Sequence, residues 1–558
     1  EYICLNNECD WRNLELPGDK KCPKCGEDKI KEETLGTIDY PRWVDRENAI
    51  IKENEGIIDS LINEATKGTV TTMIIGNKEG IGKTRLMEEI YQMLNKQNND
   101  PPWKLIWSIA DEPNEDHIEE PYSLISKAFG DAIGISNLAD KQSQQTKYRG
   151  VLAGVEQSMA ELPMGIGALF DFGDEDHEAA SKDQIIKDMI EAVRKEIDDY
   201  PLAFFLDDIQ WADQESLELL KKMIKDLSQK QHNNSLVFIL GARKQEPIKD
   251  YFNSSTLSAK IIDLELFKSD KTTELLKGAG LNNIPIWLGD KLIEHMSYAT
   301  PAMIIEVLRS LTIKGSDNSI ELQGELNNPE LNNDNKKLID EKIKSAIPQK
   351  LKDSLRMRLN ELHEEDRIIL EAAAEIGRSF SVTLLAAGLE QERLTLLRSL
   401  QRIEEDFHLI IDMHSSDDIM SLESQALRSV LKKNSVYPNY GNKRELYKEM
   451  HFKISKKMIE NKDSFKPLEI MNHCILSGDR LAKESIVYGT LAIESASKKF
   501  SWRTVKNIAN KLEDLKLLQY ADPETKDKII FYKVKSLRGI GNEDVYTLSS
   551  ELEKLLHS

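Results

Sequence analysis

The sequence is poor in several residue types, and each shortage disfavours a class of protein. Cysteine occurs only 5 times in 558 residues, and aromatic residues make up 6% of the chain. No apolar run approaches the roughly 18 to 20 residues of a membrane-spanning helix, and no basic segment followed by an apolar one opens the chain. The 75 basic residues are outnumbered by 96 acidic ones, which gives a formal net charge of −21. We therefore expect a cytoplasmic protein with little general affinity for nucleic acid or membranes.

Length adds a second expectation. At roughly 100 to 200 residues per domain, a chain of this size holds several domains. Because the first residue is Glu1 and not Met, we also expect an upstream segment, which is one place for an effector domain.

Four of the five cysteines lie near the N-terminus in the spacing of a zinc ribbon. They form two close pairs, Cys4 with Cys9 and Cys22 with Cys25. Two such pairs supply the four thiolates of a tetrahedral, structural zinc site, and the metal provides folding free energy that so short a segment lacks. Disulfides are the alternative, which a cytoplasmic chain disfavours. The remaining Cys474 is interpreted as a buried, apolar residue.

A Gly-rich segment stands between a predicted strand and a predicted helix, as in a phosphate-binding loop. Residues 69–76 are rich in β-branched side chains, and residues 85–94 carry apolar side chains at helical spacing. In such a loop, Lys83 reaches the β and γ phosphates of a nucleotide and Thr84 binds Mg²⁺. Asn77 occupies the position of the usual first glycine, and Asn tolerates left-handed backbone conformations. The predicted nucleotide contacts of this loop are Gly80, Ile81, Gly82, Lys83, Thr84 and Arg85.

An acidic pair at the end of a second apolar run is the next feature that a nucleotide-binding fold with such a loop requires. Residues 201–206 suit a buried parallel strand, and Asp207 and Asp208 follow directly. Asp207 is predicted to hold Mg²⁺, and Asp208 to orient or deprotonate the attacking water. A third apolar strand at 235–240 leads to Arg243, which is positioned to sense a γ-phosphate. A helix N-cap and a surface salt bridge are the alternatives, but the order and spacing of the three features favour a nucleotide site.

Four segments together resemble the STAND class of signal-transduction ATPases. The resemblance is strongest to the branch whose AAA-type ATPase module occurs in MalT-like regulators and beside nucleotide cyclases, and it extends over about residues 40–558. The segments are 43–47, 80–86, 120–125 and the Leu-Asp-Asp-Ile-Gln-Trp-Ala-Asp string at 206–213. The resemblance implies a base-side contact from Arg46 and a lid helix whose Pro301 lies near the nucleotide. An ordinary proline in the first turn of a helix is the alternative for Pro301.

These signals predict a multidomain α/β plus α protein. It consists of a zinc ribbon (1–33), a P-loop ASCE ATPase core with a parallel sheet (34–261), a helical lid and linker (262–345), a winged helix (346–435) and helical repeats of tetratricopeptide (TPR) type (436–558). Residues 347–413 hold 9 basic and 13 acidic residues, so the predicted winged helix favours packing on protein over binding DNA. The acidic run at 111–120 is expected to be a solvated loop.

The resemblance implies an ATP-dependent switch that uses ATP/ADP and Mg²⁺, and the spacing of the N-terminal cysteines adds structural Zn²⁺. The helical repeats would bind a protein or peptide ligand, and the ATPase would form a nucleotide-dependent homo-oligomer that controls an effector in signal transduction, cyclase or kinase control, or anti-phage defence. One alternative is a MalT-like regulator with its DNA-binding part outside this chain. The other is a pseudo-ATPase scaffold, which is suggested by Asn77, by Ala299 in place of a family glycine and by Ser424 in place of a family histidine.

Overall fold

The computed structural model describes the chain in segments. They are residues 2–4, 12–13, 30–32, 44, 68, 70–96, 101–112, 117–132, 169–170, 181–243, 251–252, 259–279, 284–296, 299–314, 320–327, 336–347, 351–412, 418–433 and 443–540. The chain divides into two compact units. The first unit comprises 1–57, 78–86 and 264–361, and the second unit comprises 58–77, 87–263 and 362–558.

The N-terminal part of the first unit contains a small antiparallel sheet. Its central strand pairs with the other two, in the order β2-β1-β3. The strands are β1 (Tyr2–Cys4), β2 (Arg12–Asn13) and β3 (Ile30–Glu32).

A five-stranded parallel sheet organises the second unit. Its strands are β4 (Val70–Gly76), β5 (Lys104–Ile109), β6 (Leu202–Asp207), β7 (Leu236–Ala242) and β8 (Ala259–Asp263). Their order is β5-β6-β7-β4-β8, so one strand separates β4 from β6. The predicted parallel sheet is confirmed. Every residue of β6 and β7 is buried, which explains why both strands read as continuous apolar runs.

Helices follow the strands and pack on the sheet. They are α1 (Lys83–Lys96), α2 (Ser123–Ala132), α3 (Lys182–Asp199) and α4 (Gln214–Leu227). The side chain of Ser181 accepts a hydrogen bond from the amide of Gln184 (3.1 Å) and so caps α3. The core of this unit includes Phe204 and Phe238, whose rings stack with centroids 5.1 Å apart.

The first unit continues as a helical region with one hairpin. Its elements are α5 (Ser269–Gly278), α6 (Ile286–His295), α7 (Pro301–Leu311), β9 (Thr312–Lys314), β10 (Ile320–Leu322), α8 (Lys336–Ala346) and α9 (Leu351–Glu361). The buried carboxylate of Glu306 on α7 joins Arg309 (2.7 Å) to Arg358 of α9 (3.0 Å). Because the charges are paired, α7 and α9 can bury them together.

The second unit resumes with helices and a three-stranded antiparallel sheet. The elements are α10 (Glu364–Ile376), β11 (Ser379–Ser381), α11 (Val382–Leu389), α12 (Arg393–Phe407), β12 (Ile410–Asp412), β13 (Ile419–Leu422) and α13 (Gln425–Lys433). The sheet order is β11-β13-β12. A helix, a strand, two helices and a hairpin are the elements that a winged helix requires, and that interpretation itself stays a prediction.

Five helices form the C-terminal helical region. They are α14 (Lys443–Glu460), α15 (Pro467–Leu476), α16 (Ala482–Lys498), α17 (Trp502–Asp514) and α18 (Pro523–Ile540), and each packs on the next. Cys474 is fully buried, as its apolar setting predicted, and burial raises the pKa of its thiol to about 12. The TPR assignment stays a prediction. None of the described helices combines the length and the apolar character that crossing a lipid bilayer requires.

Candidate functional site

The Gly-rich loop connects β4 directly to α1. Gly80 and Gly82 have positive φ angles of 73° and 98°, a backbone region that glycine enters without steric cost. Ile81 between them is fully buried, whereas Thr84 and Arg85 are partly exposed at the start of α1. The loop therefore brings glycine backbone to the N-terminus of a helix, where N–H groups and the helix dipole favour an anion.

The ammonium group of Lys83 lies inside this loop. Only 7% of the residue is exposed, and its Nζ donates a hydrogen bond to the carbonyl oxygen of Lys78 (3.0 Å). A nearly buried ammonium held close to the loop backbone is suited to the charge of a phosphate.

Asn77 stands at the end of β4 with φ at 124°, an unusual angle for a residue other than glycine. Its side-chain amide donates a hydrogen bond to Oδ1 of Asp263 (2.9 Å), the last residue of the neighbouring strand β8. The side chain thus has a bond that the glycine usual at this position could not make.

The start of α7 reaches the same loop. The amide of Ala302 donates to the carbonyl oxygen of Gly80 (3.2 Å). Pro301 is the first residue of α7, and the hydroxyl of Thr300 caps this helix by accepting from the amide of Met303 (3.3 Å). Pro301 is therefore a proline in the first turn of a helix, and the residue after it, Ala302, contacts the Gly-rich loop.

At the end of β6, the carboxylate of Asp207 is almost completely buried. Its Oδ1 accepts a hydrogen bond from the amide of Asp208 (2.8 Å), and the residue is 1% exposed. Gly241 of β7 faces this carboxylate so closely that a Cβ atom added there would overlap Asp207 Oδ1 and lie 2.9 Å from Met87 Sδ. The glycine therefore leaves room for the carboxylate of Asp207.

The next carboxylate, that of Asp208, collects polar side chains from three places in the chain. Its backbone is left-handed, with φ at 52°. Oδ1 accepts a hydrogen bond from Nε2 of Gln210 (2.8 Å) and lies 3.6 Å from Nε of Arg243, while Oδ2 lies 3.9 Å from a guanidinium nitrogen of Arg378. Asp208 and Arg243 were expected together from the sequence, but Arg378 was not, because it lies 170 residues further along.

Asp213, the last residue of the Leu-Asp-Asp-Ile-Gln-Trp-Ala-Asp string at 206–213, has a structural role. Its Oδ1 accepts from the amides of Tyr122 and Ser216 (both 2.8 Å), and its Oδ2 accepts from the hydroxyls of Ser216 (2.6 Å) and Ser123 (3.2 Å). The residue is 8% exposed. One carboxylate thus caps α4 and binds the start of α2.

Residues 117–120, the last part of the acidic run, remain at least partly exposed and also pack against the C-terminal helical region. The side-chain amide of Asn472 accepts from the amide of Ile118 (3.1 Å) and donates to its carbonyl oxygen (3.0 Å). Glu120 Oε1 lies 3.1 Å from Nζ of the fully buried Lys499. The ion pair with Lys499 bridges 379 residues of sequence, and the charge pattern alone did not predict it. Residues 113–116 of the acidic run lie outside the described residues.

Three histidines, His117, His451 and His473, lie together at this contact, and we call them the histidine cluster. Nδ1 of His451 and Nδ1 of His473 are 2.8 Å apart, and the ring of His117 packs edge-on against that of His473. Burial lowers the pKa of His473 to about 4. Burial, aided by the neighbouring histidines and Lys432, also holds the pKa values of His117 and His451 well below their usual range. The cluster is therefore neutral at neutral pH.

Several predicted site residues cannot be placed. Arg46 and the cysteines 9, 22 and 25 lie outside the described residues, and Cys4 is described only as strand backbone. Within the described ranges no group of three or more His, Cys, Asp or Glu side chains has a geometry that could hold a metal ion. The zinc site stays a prediction.

Comparisons with known proteins identify one domain. Residues 43–239 match the family model described as AAA ATPase domain, and no curated protein matches the sequence. Similar solved structures include a STAND protein with a tetratricopeptide repeat sensor from Pyrococcus horikoshii, at 12% identity and a TM-score of 0.44, which covers 92% of this chain and 66% of that one. This chain thus spans just under two thirds of that protein.

Two further structures are similar over about 70% of this chain. A Walker-type ATPase of Pyrococcus abyssi has 13% identity and a TM-score of 0.31, with 70% of this chain and 99% of that one covered. Cdc6p from Pyrobaculum aerophilum has 10% identity and a TM-score of 0.33, with 70% and 96% covered. From the family match, residues 43–239 are an AAA-type ATPase domain, and the parallel sheet with its Gly-rich loop after β4 gives it a P-loop fold.

Proposed function

We propose that the chain is an ATP-binding, slowly hydrolysing regulatory switch of the STAND type. In this proposal Lys83 binds the β and γ phosphates, Thr84 and Asp207 hold Mg²⁺, and Asp208 orients the attacking water. Mg²⁺ would supply charge neutralisation at the phosphates. The burial of Lys83 and of Asp207 supports these roles, since a charge with little access to water interacts strongly with a bound phosphate or cation.

The remaining predicted contacts complete this nucleotide site. Arg243 would sense the γ-phosphate, Arg46 would contact the base side of the nucleotide, and Pro301 would lie near the nucleotide. The other loop contacts would come from Gly80, Ile81, Gly82 and Arg85. Within the second unit, Gly76 ends β4 at the same edge of the parallel sheet where Asp207 ends β6, which supports a role for that edge in the proposed site.

One observation carries the proposal of a switch. The catalytic candidate Asp208 faces Arg378, which belongs to the region after the ATPase domain, and the segment 117–120 of the ATPase domain is bound by α15 and by Lys499. A ligand that displaced the C-terminal helices would therefore act on contacts made by the ATPase domain itself.

In the proposed cycle the ADP state is closed and monomeric. A protein or peptide ligand on the C-terminal helical region opens it, ATP replaces ADP, and the ATPase domains assemble into a homo-oligomer that controls an effector. Hydrolysis resets the switch. Moving such an equilibrium from 1:99 to 99:1 takes about 5.5 kcal/mol of differential binding. A structural zinc ion on Cys4, Cys9, Cys22 and Cys25 would complete the chain, and the zinc content of the purified protein tests that part.

Two substitutions test the nucleotide site. Lys83→Ala should weaken binding of a fluorescent ADP analogue at least about a hundredfold, because it removes a charge-assisted contact to phosphate. Asp208→Ala should retain binding but lower ATP turnover by about a hundredfold or more. Lys96→Ala, at an exposed position of α1, is the matched control and should behave as the parent. If Lys83→Ala bound nucleotide and hydrolysed ATP like the parent, the proposed function would be wrong.

A further inference from the structure

Gln210 connects the two residues of the candidate site that the sequence singled out separately. Its Nε2 donates to Oδ1 of Asp208 (2.8 Å), and its Oε1 accepts from the backbone amide of Arg243 (2.9 Å). One planar amide thus spans from the carboxylate after β6 to the end of β7.

The backbone places Gln210 there. Asp208 takes a left-handed conformation and is followed by a short 3-10 turn over Ile209–Trp211, in which the amide of Trp211 donates to the carbonyl oxygen of Asp208 (2.9 Å). This tight reversal returns the side chain of Gln210 to the carboxylate two residues earlier. The carboxylate of Asp208 does not cap the turn, so it remains available to Gln210 and the two arginines.

The hydrogen bonds also fix the orientation of the amide. The N–H of Arg243 can only donate, so the group of Gln210 that faces it must be the carbonyl oxygen. The NH₂ group is then the one that faces Asp208, whose ionised carboxylate can only accept. Both ends are satisfied in one orientation only, and the flipped amide would oppose donor to donor and acceptor to acceptor.

We propose that Gln210 is a positioning residue for ATP hydrolysis: it holds Asp208 through one carboxylate oxygen and ties it to the strand end that carries Arg243. This inference rests on the proposed function, because it gives Asp208 its role toward water. With Oδ1 held by Gln210, Oδ2 is the oxygen that can accept a proton or hydrogen bond from the attacking water. A shift of a catalytic group by about 1 Å can cost about a hundredfold in rate, which is the scale of effect expected from losing this support.

Gln210→Glu is the decisive variant, because it separates support of the fold from support of the carboxylate. A glutamate of nearly the same shape keeps the acceptor for the Arg243 amide but loses the donor to Asp208 and places a second carboxylate beside it. Two adjacent carboxylates disfavour the ionised form of both, so the acid limb of the kcat–pH profile should move to higher pH by about one unit or more. A role confined to holding the end of β7 would leave that limb unchanged.

The experiment measures steady-state ATP turnover between pH 5.5 and 9 and binding of a fluorescent ADP analogue. We expect both Gln210→Glu and Gln210→Ala to lower kcat about ten- to a hundredfold at neutral pH, with KM for ATP and ADP-analogue affinity within about twofold of the parent. Each kcat is normalised to the folded fraction measured at the same pH, so that a partly unfolded preparation still reports the position of the acid limb. Gln214→Glu makes the same chemical change at an exposed position and should match the parent.

The outcomes separate the two proposals. A parent that hydrolyses ATP while Gln210→Glu retains its kcat and its acid limb would overturn the role of Gln210 and leave the proposed function standing. A parent without ATP turnover would overturn the proposed function and this inference with it.

Discussion

The buried carboxylate of Asp207 requires a glycine at the neighbouring position 241. The carboxylate of Asp207 is buried next to β7, and the space that a Cβ atom of Gly241 would need is taken by that carboxylate and by Met87 Sδ. Packed interiors leave no free volume for such an atom. Gly241 is therefore required by the position of Asp207, even though a glycine within a buried strand is otherwise unfavourable.

Gly241→Ala should destabilise the protein by about 1 to 3 kcal/mol, because the added methyl group forces the Asp207 carboxylate or Met87 to move. Displacing Asp207 should also lower Mg²⁺-dependent ATP turnover. Urea unfolding and turnover measure the two effects. In an Asp207→Ala background the stability cost of Gly241→Ala should shrink, and an unchanged cost in this double-mutant cycle would contradict the assignment of the clash.

At the scale of elements, Asp213 couples two helices that are far apart in sequence. It caps α4 through Ser216 and binds the amide of Tyr122 at the start of α2. Tyr122 itself has a positive φ of 59° and is fully buried. The carboxylate thus compensates for a backbone conformation that costs free energy in a residue other than glycine.

Asp213→Ala should destabilise the second unit by about 2 to 4 kcal/mol, since it removes a helix cap and leaves the buried Tyr122 amide without its acceptor. Asp213→Asn keeps one oxygen as an acceptor and should cost clearly less. Urea unfolding of both variants provides the comparison. Equal losses for Ala and Asn would show that the hydrogen bonds at Oδ1 are not the source of the stability.

The sequence predicted elements better than contacts between distant elements. The strands β4, β6 and β7 were predictable because a buried parallel strand must be apolar on both faces, and the loop ending in Lys83 because its glycines and lysine are adjacent in the chain. Arg378 and Lys499 could not be assigned to Asp208 and Glu120, since the partners are 170 and 379 positions apart in sequence and nothing local marks the pairing.

On the scale of the whole molecule, the histidine cluster makes the packing of the second unit sensitive to acid. Histidines in an unfolded chain gain a proton near pH 6.5, whereas in the folded protein their pKa values lie lower, at about 4 for His473. The unfolded state therefore binds more protons between these values, and stability is lost as the pH falls from 6.5 toward 4. Glu119, Glu423 and Glu469 act with the opposite sign, because burial raises the pKa of Glu119 to about 7, that of Glu423 to about 8 and that of Glu469 above its usual range.

Because the histidines and these three carboxylates oppose each other, the histidine contribution is measured as the difference between the parent and a variant in how the urea midpoint changes from pH 7.5 to pH 5. Each histidine contributes at most about 1.4 kcal/mol per pH unit. Between pH 7.5 and pH 5 the urea midpoint of His473→Gln should move upward relative to that of the parent, and the same replacement at the exposed His363 should not have this effect. A dependence on pH that is equally steep in the His473 variant would count against the cluster as its source.

The amide of Asn472 has a consequence for how the C-terminal helices could separate from the ATPase domain. It forms hydrogen bonds with both the backbone N–H and the backbone C=O of Ile118, as a neighbouring β-strand would. Because both bonds belong to one rigid plane, a displacement that stretches one also stretches the other. The two hydrogen bonds of Asn472 therefore form and break together, which makes this contact cooperative.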